Sequence, residues 1–353
     1  MTLFRLFTVS NDPDYFAKGL PRHTAQHMMK QACRDFDTYF KSLEAWKKNP
    51  HGQRPNPPRY AKGDYKAAIL SNQECKNYDG MLKLPHVKEH IPCRRMEEGR
   101  LKEAKIMPYH DVFLIVLTYE TKSIKACRQP KRVASIDLGV NNLAAIANNI
   151  GKRSLLFSGR VLKSIKEEES RTLSRLASRQ TIGTEIKLKS SKRVKAIYRK
   201  NGLRTMDFLH KTANAIIRWC VENDIDTLVV GCNKEWKQSA DLGAKNNRIF
   251  CHIPFYALRQ KLKYRCEREG IQYIETEEAY TSKASFYDED GFHADGLTGT
   301  RTTRGNYRRA NGEIVNADLN AAANIGRKAF PELFKTDKVD LHHIKRIMHP
   351  ELA

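Results

Sequence analysis

Residues 133–142 join a run of strand-forming residues to a carboxylate and then to a glycine turn. The run from Val133 to Ile136 is apolar and partly β-branched, which predicts a buried strand. Asp137 follows it directly, and Gly139 closes the strand because glycine tolerates a positive φ. Two further apolar runs up to residue 158 predict a meander of three strands. Asp137 is therefore either the cap of a turn or a functional carboxylate at a strand end.

The charge of the chain constrains its partners. The 353 residues include 63 Lys and Arg against 40 Asp and Glu, a net charge of +23 that is spread along the whole length. Such a surface favours a polyanion, and nucleic acid is the expected partner. An acidic membrane is the competing interpretation, but the longest apolar run, 112–117, is too short to span a bilayer. The first residues do not resemble a signal peptide, so we expect a cytoplasmic protein in a prokaryotic cytosol or nucleoid, with no membrane partner.

Eight cysteines lie far apart in the sequence, and no C-x-x-C pair occurs among them. In a reducing compartment this spacing is typical of buried thiols rather than of disulfides or a zinc site. The sequence therefore predicts no zinc.

The first 130 residues divide by pattern into two regions. Apolar residues at three- and four-residue spacing predict a helix over 24–48, with one face that needs a partner. The Pro-rich stretch 51–60 predicts a linker. Short strand signals with turn residues between them follow from 66 to 125 and predict a small β-barrel.

A basic helical stretch follows the meander. Lys192 and Arg193 belong to a cluster of Lys and Arg that is either a solvated helix face or a phosphate-binding surface. An amphipathic helix over 208–220 and a continuous apolar run over 227–231 come next, and the latter is typical of a strand covered on both faces.

A strand, helix and strand without a hairpin turn then predict a parallel pair. The helix starts at Pro254 and stops at Gly270, and the following strand is 271–274. Glu277 and Glu278 lie at the carboxyl end of that strand, where α/β proteins place their chemistry. Residues 279–310 have the composition of a flexible basic loop, Asp318 begins a terminal helix, and the tail 331–353 is expected to be peripheral.

Carboxylates thus occur on three separate elements of a basic protein: Asp137, Glu277 or Glu278, and Asp318. Three converging carboxylates can hold two Mg²⁺ ions roughly 4 Å apart, one activating water and one stabilising a leaving 3′ oxygen of a phosphodiester. The alternative is that these are three unrelated turn and cap residues.

Four stretches carry a more specific resemblance: 135–143 (SIDLGVNNL), 233–238 (NKEWKQ), 277–286 (EEAYTSKASF) and 316–325 (NADLNAAANI). Their order and their residues resemble the motifs of TnpB, the family of transposon-encoded RNA-guided DNA endonucleases related to type V CRISPR effectors. The resemblance covers about residues 15–330 and is strongest from 131 onward.

The resemblance implies an α/β fold with several regions. These are a shortened helical recognition region (1–60), a wedge β-barrel (61–130), an RNase H-like RuvC nuclease domain (131–330) and a C-terminal tail (331–353). Within the nuclease domain it implies a basic helical insert (161–204) and a lid (280–313). It also implies a guide RNA from the transposon end, double-stranded target DNA beside a short motif, and two Mg²⁺ ions per active site. One protomer per RNA is favoured, and the oligomeric state is left open.

The chain departs from the family pattern at two places. Many relatives end the strand equivalent to 227–231 with the second catalytic acid, whereas Gly231 has no ligating side chain. Some relatives place this acid just before Tyr-Thr-Ser, which makes Glu278 the second acid, with Glu277 in reserve. The zinc ribbon that relatives carry in the lid is absent, because residues 280–315 contain no cysteine.

Five basic residues are candidates for nucleic-acid binding. These candidates are Arg301, Arg304, Lys192, Arg193 and Lys237. The two lid arginines match a basic stretch of the family, although solvated arginines are the alternative interpretation.

We therefore predict a guide-RNA-dependent, Mg²⁺-dependent DNA endonuclease with Asp137, Glu278 and Asp318 as catalytic metal ligands. An RNA-guided DNA-binding repressor that has lost cleavage is the alternative. A guide-independent resolvase or transposase is a third interpretation, but it assigns no function to the N-terminal helical and barrel regions.

Overall fold

The computed structural model describes residues 21–59, 66–93, 99–122, 124, 129–180, 191–232, 253–303 and 305–352. Its contacts divide the chain into two units, Met1–Lys122 and Ser123–Ala353. Within the described ranges, no helix has both the length and the apolar character that a bilayer crossing requires.

The first unit holds one helix and two small antiparallel sheets. In chain order its elements are α1 (Arg22–Lys48), β1 (Ala68–Ser71), β2 (Lys76–Tyr78), β3 (Met81–Lys83), β4 (Ile91–Pro92), β5 (Arg100–Tyr109) and β6 (Val112–Glu120). The sheet orders are β1–β5–β6 and β2–β3–β4. The predicted helix and strands are present, and the described strands of this unit form two separate three-stranded sheets rather than a closed barrel. Strands β2 to β4 have only two or three residues each, which gives too few ladder hydrogen bonds to close a barrel.

Among the residues described in this unit, only the start of α1 packs against the sheet. Thr24 Oγ1 donates to Ile69 O at 3.1 Å, and His23 N donates to Glu74 Oε1 at 2.9 Å. Farther along, Phe36 and Phe40 remain 40% and 57% exposed. The apolar face that the sequence predicts is therefore uncovered beyond the first turns.

The second unit contains nine strands and four α-helices among the residues described. They are β7 (Val133–Asp137), β8 (Asn142–Asn148), β9 (Ser154–Ser158), α2 (Arg160–Gln180), α3 (Lys192–Glu222), β10 (Thr227–Gly231), α4 (Phe255–Glu269), β11 (Gln272–Thr276), β12 (Thr300–Arg301), β13 (Asn306–Arg308), β14 (Ile314–Asn316), α5 (Ala317–Ala329) and β15 (Ile344–Ile347). A short 3₁₀ helix (Pro350–Leu352) follows. The predicted helix at 208–220 is the second half of α3, because the basic stretch continues into it without a break.

Six strands form the central sheet in the order β11–β10–β7–β8–β9–β15. Strands β7, β10 and β11 are parallel, whereas β7, β8 and β9 form the predicted antiparallel meander. The sixth strand corrects the expectation that the tail is peripheral. Residues 344–347 pair in parallel with β9, and Ser154 Oγ donates to Asp340 O at 2.6 Å.

Helices cover both faces of this sheet because its strands alternate their side chains. On one face Ala134, Ile136 and Val230 pack with α3 and α4. On the other face Val133 and Val229 pack with α5 and with residues of the tail. The continuous apolar runs of β7 and β10 are explained by this two-sided burial.

The predicted lid is more ordered than its composition suggests. Strands β12, β13 and β14 form a three-stranded antiparallel sheet that leads into α5. Asp290 ties the turns together, accepting from Ser285 N at 2.8 Å and Thr298 Oγ1 at 2.6 Å. Tyr307 is fully buried and donates to Lys283 O at 2.8 Å. These hydrogen bonds hold the cysteine-free segment together, so the expectation of a flexible loop is wrong for its described residues.

Candidate active site

The parallel strands bring three positions to one edge of the sheet. Asp137 is the last residue of β7, and the neighbouring pair Ile136–Val230 places Gly231 beside it. Gly231 in turn pairs with Thr276 at the end of β11. Glu278 follows two residues later, so its side chain starts at the same carboxyl edge.

The Glu278 side chain fills the space that a side chain at position 231 would occupy. A Cβ atom added to Gly231 would lie 2.5 Å from Glu278 Oε1 and 2.8 Å from Glu278 Cγ. It would also lie 2.6 Å from Ile325 Cδ1 of α5. The glycine at the strand end and the glutamate on the next segment are thus complementary in shape.

Asp318 reaches this edge from the first turn of α5. Asn316 caps the helix by accepting from Asp318 N and Leu319 N, both at 3.1 Å. Each Asp318 carboxylate oxygen has a donor: Arg301 Nη2 lies 2.9 Å from Oδ1, and Asn142 Nδ2 lies 2.7 Å from Oδ2. Arg301, which the sequence assigns to substrate phosphate, is therefore an ion-pair partner of Asp318 in this structure.

The electrostatics reflect three carboxylates close together. Burial raises the pKa of Asp137 well above its usual range, and the charges of Glu278 and Asp318 raise it further against the opposing effect of Arg301. Burial also raises the pKa of Glu278 to about 7, although the Arg259 guanidinium acts in the opposite direction. The Glu278 Oε1 atom is buried and has no hydrogen-bond partner. The positive charges of Arg301 and Arg259 therefore offset the effect of burial only in part.

The reserve candidate, Glu277, points elsewhere. Its carboxylate lies 3.3 Å from Lys328 Nζ, and its side chain is 71% exposed. Of the other predicted nucleic-acid-binding residues besides Arg301, the structure describes two. Lys192 and Arg193 are exposed in the first turn of α3, whereas Lys237 and Arg304 lie outside the described residues.

The donor set suits a hard divalent cation, although the side chains are not assembled around one. Among the residues that the structure describes, no three His, Cys, Asp or Glu side chains form a group that could hold a metal ion. Both oxygens of Asp318 are engaged by Arg301 and Asn142. Carboxylate oxygens are nevertheless the ligands that Mg²⁺ prefers, and the unpartnered Glu278 Oε1 is one that a cation would satisfy.

Sequence reasoning missed two polar contacts of the site. Asn142 lies within the 135–143 motif, but its bond to Asp318 joins residues 176 positions apart. Arg259 of α4 donates to Glu275 Oε2 at 3.3 Å and to Cys232 Sγ. No local pattern marks Arg259, because its partners come from strands that precede and follow its helix.

Comparison with known proteins gives two matches to family models. The OrfB_IS605 model, described as "Probable transposase", matches residues 116–237. The model described as "Cas12f1-like, TNB domain" matches residues 255–325. These segments contain Asp137 in the first case and Glu278 with Asp318 in the second.

Individual relatives are more distant. The "Putative transposase" of Paramecium bursaria Chlorella virus 1 is 26% identical over 182 residues, which is 50% of this chain and 39% of the relative. The chain thus spans well under half of that curated protein. The match to a cryo-EM structure of a Cas12f1–sgRNA–target DNA complex covers 91% of this chain and 79% of the matched chain in that complex, with 12% identity and a TM-score of 0.47. The match to the structure of the mini-RNA-guided endonuclease CRISPR-Cas_phi3 covers 66% of this chain and 52% of that chain, with 15% identity and a TM-score of 0.36.

The two family models match consecutive parts of the chain, and those parts contain all four stretches quoted for the resemblance except the last residue of 233–238. They therefore support the resemblance to TnpB that is seen in the sequence.

Proposed function

We propose that this chain is an RNA-guided, Mg²⁺-dependent DNA endonuclease of a transposon. The observation that carries the proposal is the position of Glu278, whose carboxylate occupies the side-chain space of Gly231 beside Asp137. A buried carboxylate oxygen with no hydrogen-bond partner, such as Glu278 Oε1, is costly, and a role as a metal ligand in a nuclease site would give it a use.

The strand order supports an RNase H-like RuvC assignment for the second unit. Counted from β7, the first five strands lie in the order 3-2-1-4-5, with a mixed pattern in which only β8 runs against its neighbours. The sixth strand, β15, extends the sheet beyond β9. In this arrangement the first strand is central, and its carboxyl end is where Asp137 lies.

Each acidic residue has a task in the proposed site. Asp137, Glu278 and Asp318 would hold Mg²⁺ through carboxylate oxygens. When bound, the metal would supply an activated water and charge stabilisation for a leaving 3′ oxygen. Arg301 would have to leave Asp318 Oδ1 before that oxygen could serve as a ligand, and its guanidinium would then contact a phosphate of the substrate.

The expected partners are a guide RNA from the transposon end and double-stranded target DNA. The net charge of +23 supports polyanion binding. The family-model matches add support for a transposon-associated, Cas12-like nuclease. Pairing between guide and target would read the sequence, while exposed basic residues such as Lys192 and Arg193 would contact the backbone. A prokaryotic cytosolic location belongs to the same proposal.

A cleavage assay with matched controls tests this function. The full chain is purified with co-expressed RNA from the flanking transposon end and mixed with DNA that matches the guide. The proposal expects cleavage with Mg²⁺, none with EDTA, and none with DNA that does not match the guide.

Two other outcomes would replace the proposal. Guide-dependent binding without cleavage at any Mg²⁺ concentration would establish the repressor alternative. The ion pair between Arg301 and Asp318 is the feature that keeps this alternative open, because it blocks one ligand oxygen. Cleavage that proceeds equally without RNA would instead indicate a guide-independent resolvase or transposase.

A further inference from the structure

We infer that Asn142, Asn320 and Asn324 are positioning residues that fix the three carboxylates relative to one another. The inference rests on the proposed function, because it assigns these amides a task in a carboxylate metal site. It concerns residues that hold the acids in place and that touch neither metal nor substrate themselves.

The first link joins α5 to the segment that carries Glu278. Asn320 is 1% exposed and Asn324 is fully buried. Asn320 Nδ2 donates to Ala284 O at 2.8 Å, and its Oδ1 accepts from Phe286 N at 2.9 Å. Asn324 Nδ2 donates to Ala284 O at 2.7 Å and to Thr281 O at 3.0 Å. The two amides, four residues apart on one helix face, bind three backbone groups of segment 281–286.

This segment is tied directly to Glu278. Thr281 donates to Glu278 O through both its N–H at 3.1 Å and its Oγ1 at 2.9 Å. Asn324 in turn binds the carbonyl of the same threonine. The backbone of Glu278 is therefore connected through one residue to the helix whose first turn bears Asp318. Any shift of segment 281–286 would move Glu278 relative to Asp318.

The second link joins the β7–β8 hairpin to Asp318. Asp137 pairs with Ala145 in this hairpin, and Asn142 is the first residue of β8. The 2.7 Å bond from Asn142 Nδ2 to Asp318 Oδ2 connects the element that bears the first acid to the third acid. Taken together, the three amides connect all three acid-bearing elements of the site, which repulsion among the carboxylates would otherwise separate.

A merely structural role is the competing explanation, and the chain contains a matched control for it. Asn149 is also buried and also makes two bonds to the backbone, accepting from Val133 N at 2.8 Å and donating to Lys131 O at 2.9 Å. It lies at the amino end of β7, opposite the end that bears Asp137. Its loss should lower stability without disturbing the acids.

The test compares Asn142→Ala, Asn320→Ala, Asn324→Ala and Asn149→Ala with wild type in the full chain. Isothermal titration with Mn²⁺ alone measures the dissociation constant of the metal, and thermal unfolding without metal measures stability. We expect the first three variants to weaken Mn²⁺ binding by about 10–100-fold, the usual consequence of removing groups that hold metal ligands. Asn149→Ala should lower Tm as much as Asn320→Ala does, yet retain wild-type Mn²⁺ affinity.

Three results would decide against the inference. Wild-type Mn²⁺ affinity in Asn320→Ala and Asn324→Ala would overturn it, as would an equal loss in Asn149→Ala. Should the buried variants fail to fold, Asn142→Ala alone decides, because Asn142 is only partly buried. Glu278→Gln separates this inference from the proposed function. Unchanged Mn²⁺ affinity in Glu278→Gln overturns both. Weaker Mn²⁺ binding by Glu278→Gln, together with wild-type affinity in the asparagine variants, overturns only the inference.

Discussion

The carboxylates beside the two ends of strand β7 differ in their hydrogen bonding. At the amino end, Asp226 Oδ2 accepts from Lys131 N and Arg132 N, both at 2.9 Å, and its Oδ1 accepts from Thr227 Oγ1 at 2.8 Å. At the carboxyl end, Glu278 Oε1 has no hydrogen-bond partner, and burial raises the pKa of both Glu278 and Asp137. The carboxylate at the amino end has hydrogen-bond partners for both oxygens, whereas Glu278 at the carboxyl end has an oxygen with none.

This difference indicates that the amino end of β7 contributes to the stability of the sheet, whereas its carboxyl end is the candidate active site. A carboxylate that accepts several N–H and O–H bonds stabilises the fold that makes them. Buried carboxylates that face one another destabilise the fold until a cation compensates their charge. Under the proposed function, the carboxyl end of β7 is the part of the sheet whose electrostatic cost a bound cation would offset.

Among changes that leave the acidic residues themselves in place, the largest effect is expected from Gly231→Ala. A methyl group at this position would lie 2.5 Å from Glu278 Oε1 and 2.6 Å from Ile325 Cδ1, so the carboxylate must move. A misplacement of this size costs about 10²-fold in catalysis, and guide-dependent cleavage rates measure it. Gly305→Ala is the matched control, because a Cβ there meets nothing within 4 Å. Equal cleavage by wild type and Gly231→Ala would show that Glu278 does not need this space.

A smaller effect concerns the pH dependence of stability without metal. The Glu278 pKa is about 7 in the fold against 4.5 for an unperturbed glutamate, so the folded protein binds the proton more tightly than the unfolded chain. This contribution to stability is present below pH 4.5 and is lost as the pH rises through 7. The expected loss in the free energy of unfolding is about 1–3 kcal/mol, and Asp137 changes in the same direction.

Glu278→Gln provides the reference for that measurement. Denaturant unfolding at several pH values should show a shallower loss for the variant than for wild type, because the amide does not titrate. Adding excess Mg²⁺ should restore stability to wild type at high pH and should have little effect on the variant. Parallel pH profiles for the two proteins would contradict the electrostatic difference between the two ends of β7.

The smallest effect is expected at the amino end, from Asp226→Ala. Removing a carboxylate that accepts three hydrogen bonds should lower the free energy of unfolding by about 1 kcal/mol. Cleavage per folded molecule should stay at the wild-type rate, because Asp226 lies at the edge opposite to the acids. A loss of cleavage without a loss of stability would mean that the two ends are coupled.

Local pattern predicts the elements of this site better than their contacts. The strand ending at Asp137, the parallel pair β10 and β11, and the helix beginning near Asp318 all follow from apolar runs and turn residues in the sequence. The four-residue spacing of Asn316, Asn320 and Asn324 is also a pattern that can be recognised in the sequence. Polar residues at four-residue spacing in a helix of small apolar residues indicate a face that binds backbone groups.

Other features depend on distant partners and could not be predicted from local pattern. Strand β15 has four residues with two central basic ones, and only its pairing with β9 makes it a strand. The ion pair between Arg301 and Asp318 joins β12 to the first turn of α5, across 17 positions of the sequence. The division of the first-unit strands into two sheets likewise depends on which strands pair, which local pattern does not reveal.

The most direct test of the account compares Glu278→Gln with Glu277→Gln in guide-dependent cleavage of matched DNA with Mg²⁺. The two residues are adjacent in sequence, but only Glu278 lies over Gly231, whereas Glu277 pairs with Lys328. We predict that Glu278→Gln cleaves at least about 10³-fold more slowly than wild type while Glu277→Gln cleaves at a near wild-type rate. Full cleavage by Glu278→Gln, or inactivity of Glu277→Gln alone, would contradict the account.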